Sequence, residues 1–263
     1  MKVVIIGAGN LSTHLSIALQ KAGFEILQIY SRTVASAKEL ALQLKVPYTT
    51  DILSISNDAS LYIFSVSDDA VSTVSENFIS TDALVVHTAG SLPLDIFSKK
   101  FKNYGVFYPL QTFTKGRTVD FSNIPVFLEA NTQENLNILQ NVANSISQNV
   151  YFATSKEREL LHLAAIFCCN FVNHLYDLSA QIAQQAGFEF SILSQLILET
   201  ARKAITVDDP KKVQTGPAIR NDRKILQKHL DLLNSQPEYR EIYFQLSKNI
   251  AFLSQQNKQM NIK

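Results

Sequence analysis

The sequence lacks the features that mark secreted and membrane-spanning proteins. Its two cysteines, Cys168 and Cys169, are adjacent, whereas secreted scaffolds space their cysteines apart for pairing, so we expect both to be reduced core residues. No segment approaches the ~20 consecutive apolar residues of a membrane span. The amino terminus reaches its first glycine too soon for a secretory signal. We therefore predict a soluble, cytoplasmic protein without a membrane partner.

An excess of charge of either sign is also missing. The 24 Lys and Arg residues are almost balanced by 23 Asp and Glu residues, which leaves a formal net charge of +1. No cluster of Lys and Arg interleaved with aromatic residues provides the electrostatic footprint of a nucleic-acid-binding surface. We therefore predict no nucleic-acid partner, and we predict no metal site.

A short glycine-rich motif follows the first apolar run. Residues 3–6 (VVII) predict a buried strand, and the run GAGNLS at residues 7–12 leads into a helical pattern. Strand, turn and helix together fit the dinucleotide-binding fingerprint, with Ser12 in the place of its third glycine. Gly7 permits the tight turn, and Gly9 lets a pyrophosphate approach the backbone at a helix N-terminus. The alternative is a glycine-rich turn without a ligand.

The end of the second predicted strand distinguishes the two nicotinamide cofactors. NAD sites usually place Asp or Glu there, about 20 residues after the glycines, to bind the ribose hydroxyls. Here the position holds SRT, and a guanidinium with two hydroxyls suits a 2′-phosphate. The predicted cofactor is NADP, and the alternative is that the arginine points into solvent. The residues predicted to hold it at this end are Gly7, Gly9, Asn10, Leu11, Ser31, Arg32 and Thr33.

The order of apolar patterns predicts the fold class. Strand and helix patterns alternate over the first half, with buried strands in the apolar runs at 61–66 and 83–87. From Thr154 onward only helical patterns follow. We predict an α/β fold, in which a doubly wound Rossmann-type parallel sheet over residues 1–152 is followed by an all-α domain over residues 153–263.

Polar loops follow the fourth and fifth predicted strands. Carboxyl ends of parallel strands face a bound dinucleotide, so these loops are expected to line its ribose and nicotinamide. Ser65, Val66 and Ser67 follow the fourth strand, and Thr88 and Gly90 follow the fifth. All five residues are therefore predicted to contact the cofactor.

Two histidines and an asparagine are the candidates for catalysis. Hydride transfer requires a proton donor or an electrophilic stabiliser near the reacting carbon. His87 ends the fifth predicted strand and is either a buried core residue or a functional one. His162 and Asn170 lie on a long helix predicted from about 155 to 185, where regular helical geometry lets them line one cleft without touching. The alternative for this pair is a satisfied core histidine with hydrogen bonds between helices.

Two further segments are candidates for substrate binding. Gln111 and Thr112 follow a strand predicted to end near residue 107, and a proline turn between domains is the alternative. The turn TGPAIRND at residues 215–222 contains Arg220, which suits an anionic substrate, and Asp222. A helix cap by Asp222 and an ion pair between the two residues would give the same pattern without a substrate.

The first long helix also predicts a protein partner. Between residues 160 and 172 its sequence, LLHLAAIFCCNFV, is apolar all round, which is typical of a helix buried on every side. We expect its own domain to cover one side and a second copy of the chain to cover the other. The predicted assembly is a homodimer through the helical domain.

Together these motifs resemble a bacterial family of NADP oxidoreductases whose substrate is unassigned. The likeness rests on GAGN, SRT, HTAGS and YPLQTF in the first half, on the helix from His162 to Asn170, and on TGPAIRND followed by His229. It covers nearly the whole chain and implies a Rossmann-like domain followed by a helical domain of unknown function. More distantly, the sequence is similar to pyrroline-5-carboxylate reductase, ketopantoate reductase and the β-hydroxyacid dehydrogenases, which implies an NADP-binding domain before an all-helical one, often in a dimer.

The sequence departs from these relatives at two positions. The β-hydroxyacid dehydrogenases carry a lysine one helical turn before an asparagine, and if Asn170 is that asparagine, Ile166 replaces the lysine. The proton donor must then be another group, with His162 and His87 the candidates. Asn221 stands where the resemblance implies glycine in the arginine–aspartate motif.

The sequence therefore predicts an NADP(H)-dependent oxidoreductase. Its substrate would be a small carbonyl, imine or hydroxyacid metabolite bound between the two domains. Because the lysine is absent, the alternative is an NADP-binding sensor or scaffold without turnover. The expected crowding of His162, Asn170, Gln111 and Arg220 around one cleft favours the enzyme.

Overall fold

The computed structural model of the chain describes the backbone of residues 1–260 and the side chains of residues 1–256. The chain divides into two compact units, a sheet unit of residues 1–171 and a helical unit of residues 172–263. The division falls later than the predicted boundary at residue 152, because the first turns after Thr154 pack with the sheet. Within the described part of the chain, no helix combines the length and the apolar character that a bilayer span needs.

The sheet unit is built around one eight-stranded sheet with the spatial order β3-β2-β1-β4-β5-β6-β7-β8. Neighbouring strands pair in parallel, except that β6 and β7 are antiparallel. The order reverses between β1 and β4, so the predicted doubly wound Rossmann-type sheet is confirmed. The strands are β1 Lys2–Ile6, β2 Glu25–Tyr30, β3 Tyr48–Thr49, β4 Leu61–Phe64, β5 Leu84–His87, β6 Tyr104–Pro109, β7 Val126–Ala130 and β8 Val150–Phe152.

Helices connect strands of the sheet, and helices follow β8 in the described part of the chain, as predicted. Those between strands are α1 Asn10–Lys21, α2 Val34–Leu44, α3 Asp68–Glu76 and α4 Gln133–Asn144. Those that follow β8 are α5 Ser155–Ala165, a π-helical segment at Ile166–Phe171, α6 Val172–Gln185, α7 Ser194–Ile205, α8 Arg223–Leu232 and α9 Pro237–Met260.

The core of the sheet unit lies on both faces of the sheet. Alternate residues of β1 point to opposite faces, so Val3 and Ile5 belong to one apolar cluster and Val4 and Ile6 to another. The first cluster packs under α1, α2 and α4, and the second is rich in aromatic rings. Because both faces are covered, the central strands are continuous apolar runs instead of alternating ones.

The long helix predicted after Thr154 begins with a capping box. The Glu157 amide donates to the Thr154 hydroxyl at 3.3 Å, and the Thr154 amide donates to the Glu157 carboxylate at 2.8 Å. The helical run continues to Gln185, but the π-helical segment interrupts its regular geometry. The prediction that His162 and Asn170 line one cleft assumed a regular helix, and the π-helical segment changes their relative phase because a π turn is wider than an α turn.

Side chains of the π-helical segment are less buried than the sequence suggested. Cys168 and Cys169 are free thiols, but Cys168 is exposed and Cys169 is half-buried. The expectation that both are core residues is wrong, because neither faces the apolar clusters of the sheet. Phe167 of the same segment is 62% exposed, and Leu160 and Leu163 of the preceding α5 are 60% and 49% exposed.

Candidate functional site

The turn between β1 and α1 requires glycine at its first position. Gly7 has a φ of 122°, a conformation that other residues rarely adopt. A Cβ at this position would lie 2.2 Å from the Ser65 carbonyl oxygen at the end of β4. The Gly7 amide donates to the Tyr30 carbonyl at the end of β2, at 2.8 Å. Gly7 thus lets the turn pass tightly between two neighbouring strand ends.

The next glycine faces open space. A Cβ at Gly9 would meet no atom within 4 Å, and α1 begins at the following residue with no acidic side chain in its first turn. Ser12, the residue in the place of the third glycine, is fully buried. Its hydroxyl donates to the Ser65 carbonyl at 3.1 Å and accepts from the Gly9 amide at 3.3 Å. An exposed backbone beside a free helix N-terminus fits a dinucleotide pyrophosphate.

Asn10 and Leu11 complete the first turn of α1. Asn10 is exposed, and its side-chain oxygen accepts from the Lys115 amide at 3.4 Å. Leu11 is half-buried against the apolar cluster of the same face. The predicted contact of both residues with a cofactor stays a prediction.

The end of β2 presents a cation without a bound partner. Arg32 is exposed, and it forms no ion pair or hydrogen bond with the residues that the structure describes. The Thr33 hydroxyl donates to the Ser36 hydroxyl at 3.0 Å, and α2 begins directly afterwards without an acidic residue in its first turn. Half-buried Ser31 precedes them. This group of residues fits a phosphate on the adenosine ribose.

A backbone hydrogen bond links the ends of β4 and β5, where polar residues follow both strands. Ser65 is buried, and so is Thr88, whose amide donates to the Phe64 carbonyl at 3.1 Å. Ser67 is exposed at the start of α3, and Val66 is half-buried. The buried residues support the strand ends, and Ser67 remains free for a ligand.

His87, one of the two histidines considered for catalysis, is fully buried. Its Nδ1 accepts from the Ala89 amide at 3.2 Å, and its Nε2 lies 3.4 Å from the Pro93 carbonyl oxygen. Burial lowers its pKa to about 3, and the nearby charge of Arg158 acts in the same direction. Both ring nitrogens are engaged, so the geometry favours the core interpretation over the catalytic one.

His162 forms the main polar contact at the carboxyl edge of the sheet. Its Nδ1 lies 3.1 Å from the hydroxyl of Tyr108, which is near the end of β6. Tyr108 is 8% exposed, whereas His162 on α5 is half-buried. Burial raises the pKa of Tyr108 to about 12, against the lowering effect of Arg158, and the charge of Asp68 raises it further. Tyr108 therefore remains a hydroxyl at neutral pH and orients the imidazole.

The loop after β5 closes tightly over this pair. A Cβ at Gly90 would lie 2.8 Å from both His162 Cγ and Tyr108 Cζ, so a larger residue would displace one of the rings. The neighbouring Ser91 hydroxyl donates to the Asp68 carboxylate at the start of α3. The loop after β5 and the carboxyl end of β6 thus meet His162 of α5 at one edge of the sheet.

A buried cation supports the helix that carries His162. Arg158 lies one turn before it on α5 and is 1% exposed. Its Nη1 contacts the Glu129 carboxylate of β7 at 2.5 Å, and its Nη2 donates to the Leu92 carbonyl. Glu129 also accepts from the Ser155 amide at 3.0 Å and from its hydroxyl at 2.8 Å. The ion pair ties α5 to β7 and to the loop after β5.

The remaining predicted residues of the sheet unit lie apart from this contact. Asn170 is exposed in the π-helical segment and makes no hydrogen bond through its side chain within the described residues. Gln111 and Thr112 are exposed after β6, where the Thr112 amide donates to the Gln111 side chain at 2.7 Å. The predicted catalytic role of Asn170 and the predicted substrate contacts of Gln111 and Thr112 stay predictions.

The turn that contains Arg220 and Asp222 belongs to the helical unit. Asp222 caps α8 by accepting from the Ile225 amide at 3.3 Å, as the structural alternative predicted. Arg220 is exposed, and no ion pair joins it to Asp222 in the described part of the chain. Asn221 has a φ of 55°, which explains why glycine is expected at this position.

A separate cavity of about 870 Å³ lies elsewhere in the sheet unit, between α1, α2 and the segment from Lys115 to Ser122. Neither glycine of the first turn lines it, nor does the Tyr108–His162 pair. The residues that line this cavity include Ile17 and Ala18 of α1 and Leu40 of α2. The candidate active site and this cavity are therefore distinct.

Comparisons with known proteins cover both parts of the chain. Residues 1–107 match a family described as a Rossmann-like domain, and residues 124–250 match a domain of unknown function, DUF2520. The comparison with curated proteins found no match.

Solved structures resemble the whole chain. A Bacteroides fragilis protein named a putative NADP oxidoreductase is 44% identical, with a TM-score of 0.89 over 95% of this chain and 97% of that one. A Thermotoga maritima protein is 22% identical, with a TM-score of 0.79 over 96% and 99%. A 1-pyrroline-5-carboxylate reductase from Streptococcus pyogenes is 16% identical, with a TM-score of 0.64 over 95% and 98%. The chain therefore belongs to the family that joins a Rossmann-like domain to a DUF2520 domain and that includes the Bacteroides fragilis protein.

Proposed function

We propose that this protein is an NADP(H)-dependent oxidoreductase that acts on a small carbonyl, imine or hydroxyacid compound. One observation carries the proposal: the Tyr108–His162 pair lies at the carboxyl edge of the same sheet that presents the glycine turn after β1. Dinucleotides bind at this edge of doubly wound sheets. The imidazole of His162, which can donate or accept a proton, thus lies at the edge of the sheet where a reactive nicotinamide would bind.

The first turn and the end of β2 support the choice of cofactor. Gly7 permits the tight turn, and Gly9 leaves the backbone open to a pyrophosphate, with Asn10 and Leu11 at the helix N-terminus. Arg32, with Ser31 and Thr33 beside it, suits the 2′-phosphate that distinguishes NADP from NAD. The name of the Bacteroides fragilis relative points to the same cofactor.

In the proposed mechanism His162 transfers the proton. Bound NADPH would supply a hydride to the substrate carbon. The Tyr108 hydroxyl can donate to Nδ1 of a neutral imidazole and can accept from Nδ1 of an imidazolium, so it holds the ring in both protonation states. His162 Nε2 is then the atom that faces the substrate. Asn170 is a proposed second catalytic residue, and Gln111 and Thr112 are the proposed substrate contacts of the sheet unit.

A titration with NADPH and NADH tests the cofactor site. NADPH at a thousand times its Kd should stabilise the fold by ~4 kcal/mol, which raises the melting temperature. Arg32→Glu should abolish the preference for NADPH. Lys38→Glu, an exposed residue of α2 with the same change of charge, is the matched control and should retain it. An Arg32→Glu protein that still prefers NADPH would contradict the proposed 2′-phosphate contact.

A screen of metabolites with NADPH then tests turnover. Oxidation of NADPH with a carbonyl or imine panel, or reduction of NADP⁺ with a hydroxyacid panel, is the expected result, measured by the absorbance of the reduced nicotinamide. Tight binding of NADPH without turnover of any compound would support an NADP-binding sensor instead.

We also propose a homodimer in which a second copy covers the exposed apolar side of α5 and the π-helical segment. Leu160, Leu163, Phe167 and Phe171 are each about half or more exposed in the single chain, and the last two rings contact each other with centroids 5.0 Å apart. Apolar surfaces of this kind are typical of protein interfaces. Symmetric association of identical chains is the commonest way to cover them.

A further inference from the structure

We infer that the cavity between α1, α2 and the segment from Lys115 to Ser122 binds a small molecule that carries one carboxylate on an apolar body. This site is separate from the residues proposed to hold the cofactor, and it does not depend on the proposed oxidoreductase function. The inference rests on the shape of the cavity, on its apolar wall and on the charges that line it.

The cavity follows one face of α1. The lining residues of this helix are Thr13, His14, Ile17, Ala18, Lys21 and Ala22. Because residues four apart share a face of a helix, this spacing describes a strip along α1, ~14 Å long at 1.5 Å per residue. The volume of about 870 Å³ lies within the ~300–1,000 Å³ typical of small-molecule pockets.

Side-chain contacts anchor the covering segment at one end of the cavity. The Lys115 ammonium contacts the Glu39 carboxylate of α2 at 2.7 Å. On α1, His14 Nε2 lies 3.0 Å from the Thr114 carbonyl oxygen, and the His14 ring stacks on Phe113 with centroids 5.3 Å apart. The segment is therefore tied to both helices, which gives the cavity a wall on each of three sides.

One wall of the cavity is apolar and only partly covered. Leu40 of α2 is 1% exposed, whereas Ile17, Ala18 and Val119 are half-buried and pack against the same apolar cluster. Half-buried apolar side chains lose further contact with water when an apolar group binds beside them, which favours binding. This wall fits the hydrocarbon part of a ligand.

The charged side chains of the lining leave one positive charge in excess. They are the cations Lys21, Lys115 and Arg117 and the carboxylates Glu39 and Asp120. Glu39 is paired with Lys115, and Asp120 accepts from the Ser122 amide at 3.0 Å, although both carboxylates keep their charge. Lys21 and Arg117 are exposed, and neither forms an ion pair with the residues that the structure describes. The excess therefore matches a monoanion and opposes a cation.

The helix ends at the cavity favour a carboxylate over a phosphate. Lys21 and Ala22 lie at the C-terminal end of α1, and Ser145 and Ile146 follow the end of α4. C-terminal ends of helices carry partial negative charge, which opposes a dianion. The lining of α1 begins at Thr13, so it lacks the free amide groups of a helix N-terminus that usually hold a phosphate.

Probes with one apolar body and different head groups test the charge. The anion is 4-phenylbutyrate, the neutral probe is 4-phenylbutanamide, and the cation is 4-phenylbutylamine. We expect calorimetry on the full chain to show one 4-phenylbutyrate bound per chain, roughly fivefold more tightly than the amide, as for a solvent-exposed ion pair. The amine should bind more weakly than the amide, and acetate, which lacks the apolar body, should not bind at the same concentration.

Charge-removing variants test the location. The double variant Lys21→Gln, Arg117→Gln should bind 4-phenylbutyrate no more tightly than 4-phenylbutanamide, while its affinity for the amide stays unchanged. Both side chains are exposed, so the fold should tolerate these changes. Lys38→Gln is the matched control, because Lys38 is an exposed residue of α2 outside the lining, and it should retain the preference for the anion.

Three outcomes would overturn the inference. They are no binding of 4-phenylbutyrate at millimolar concentration, equal affinity for all three head groups, and a preference for the anion that the double variant retains. Each of them leaves the proposed oxidoreductase function standing, because no step of the experiment measures turnover. Displacement of 4-phenylbutyrate by NADPH would also contradict a separate site, and it would assign the cavity to the dinucleotide instead.

Discussion

The two units of this chain differ in how completely they bury their own apolar residues. In the sheet unit, apolar clusters cover both faces of the sheet, and strands β1, β4 and β5 are fully buried or nearly so. Among the described residues of the helical unit, Leu178 and Ala218 are the buried apolar side chains. Ile192, Leu196 and Ile205 are 60%, 65% and 83% exposed there. One unit forms its core from a single chain, and the other does not.

Exposed apolar side chains of the helical unit indicate where the proposed second copy would bind. Burial of apolar surface supplies the main stabilisation of a fold, at ~25 cal/mol for each Å² removed from water. Most apolar side chains of α7 are exposed within one chain, whereas those of α6 are mostly half-buried and those of α8 are half-buried or exposed. A second copy of the same chain would provide the missing core, which extends the dimer proposal from the π-helical segment to the helical unit.

The largest expected effect is therefore on assembly. Light scattering after gel filtration should give the mass of a dimer for the wild type. Phe167→Glu places a charge in the proposed interface and should yield a monomer, because burying an unpaired carboxylate is costly. Leu53→Glu is the matched control, since Leu53 is a 75% exposed residue of the sheet unit, and it should remain dimeric. A monomeric wild type would contradict the proposed dimer.

The two glycines of the first turn give the next largest effect. Gly7→Ala should destabilise the protein by at least ~3 kcal/mol, because its Cβ would meet the Ser65 carbonyl at a φ that alanine avoids. Gly9→Ala meets no atom and should leave stability within about 1 kcal/mol, yet it should weaken NADPH binding at least tenfold. Urea unfolding and NADPH titration of both variants measure the two effects. Equal loss of stability in both variants would refute this division of roles.

Much of the sheet unit was predictable because its signals are local. The apolar run at residues 3–6 is found in β1, and the glycine run places its turn between β1 and α1. The antiparallel direction of β7 was not predictable, since an apolar run is the same in either direction. The π-helical segment was also missed, because its apolar sequence suits a regular helix equally well.

The candidate site was only partly predictable. His162 stood out as a polar residue in an apolar stretch, but its partner Tyr108 is 54 residues away and contacts it only through the fold. Arg158 lies among the charged residues of the sequence KERE, where nothing marks it as buried. The structure favours a core role for His87 because its side chain is fully buried. Its position at the end of a predicted strand does not reveal that burial.

Acid should weaken the sheet unit through His87. Unfolded histidine takes up a proton below its ordinary pKa of 6.5, whereas burial holds the folded pKa at about 3. The unfolded state therefore binds more protons between these values, and stability present above pH 6.5 is lost as the pH falls, by up to ~1.4 kcal/mol per pH unit. Unfolding of the wild type and of His87→Gln at pH 6, 5 and 4 tests this. The substitution should flatten the slope, and parallel slopes would exclude His87 as the cause.

The smallest effects compare one backbone position from each unit. Lys45 in the sheet unit and Asn221 in the helical unit both have positive φ, at 59° and 55°. Lys45→Gly should stabilise the protein by ~1 kcal/mol, since lysine is strained in this region, whereas glycine is not. Asn221→Gly should gain less, about a few tenths of a kcal/mol, because asparagine tolerates the conformation and glycine loses more chain entropy on folding. Thermal unfolding at one protein concentration ranks the two variants. A larger gain at Asn221 would mean that the turn in the helical unit is more strained than its dihedral angle indicates, and the helical unit would then limit the stability of the whole chain.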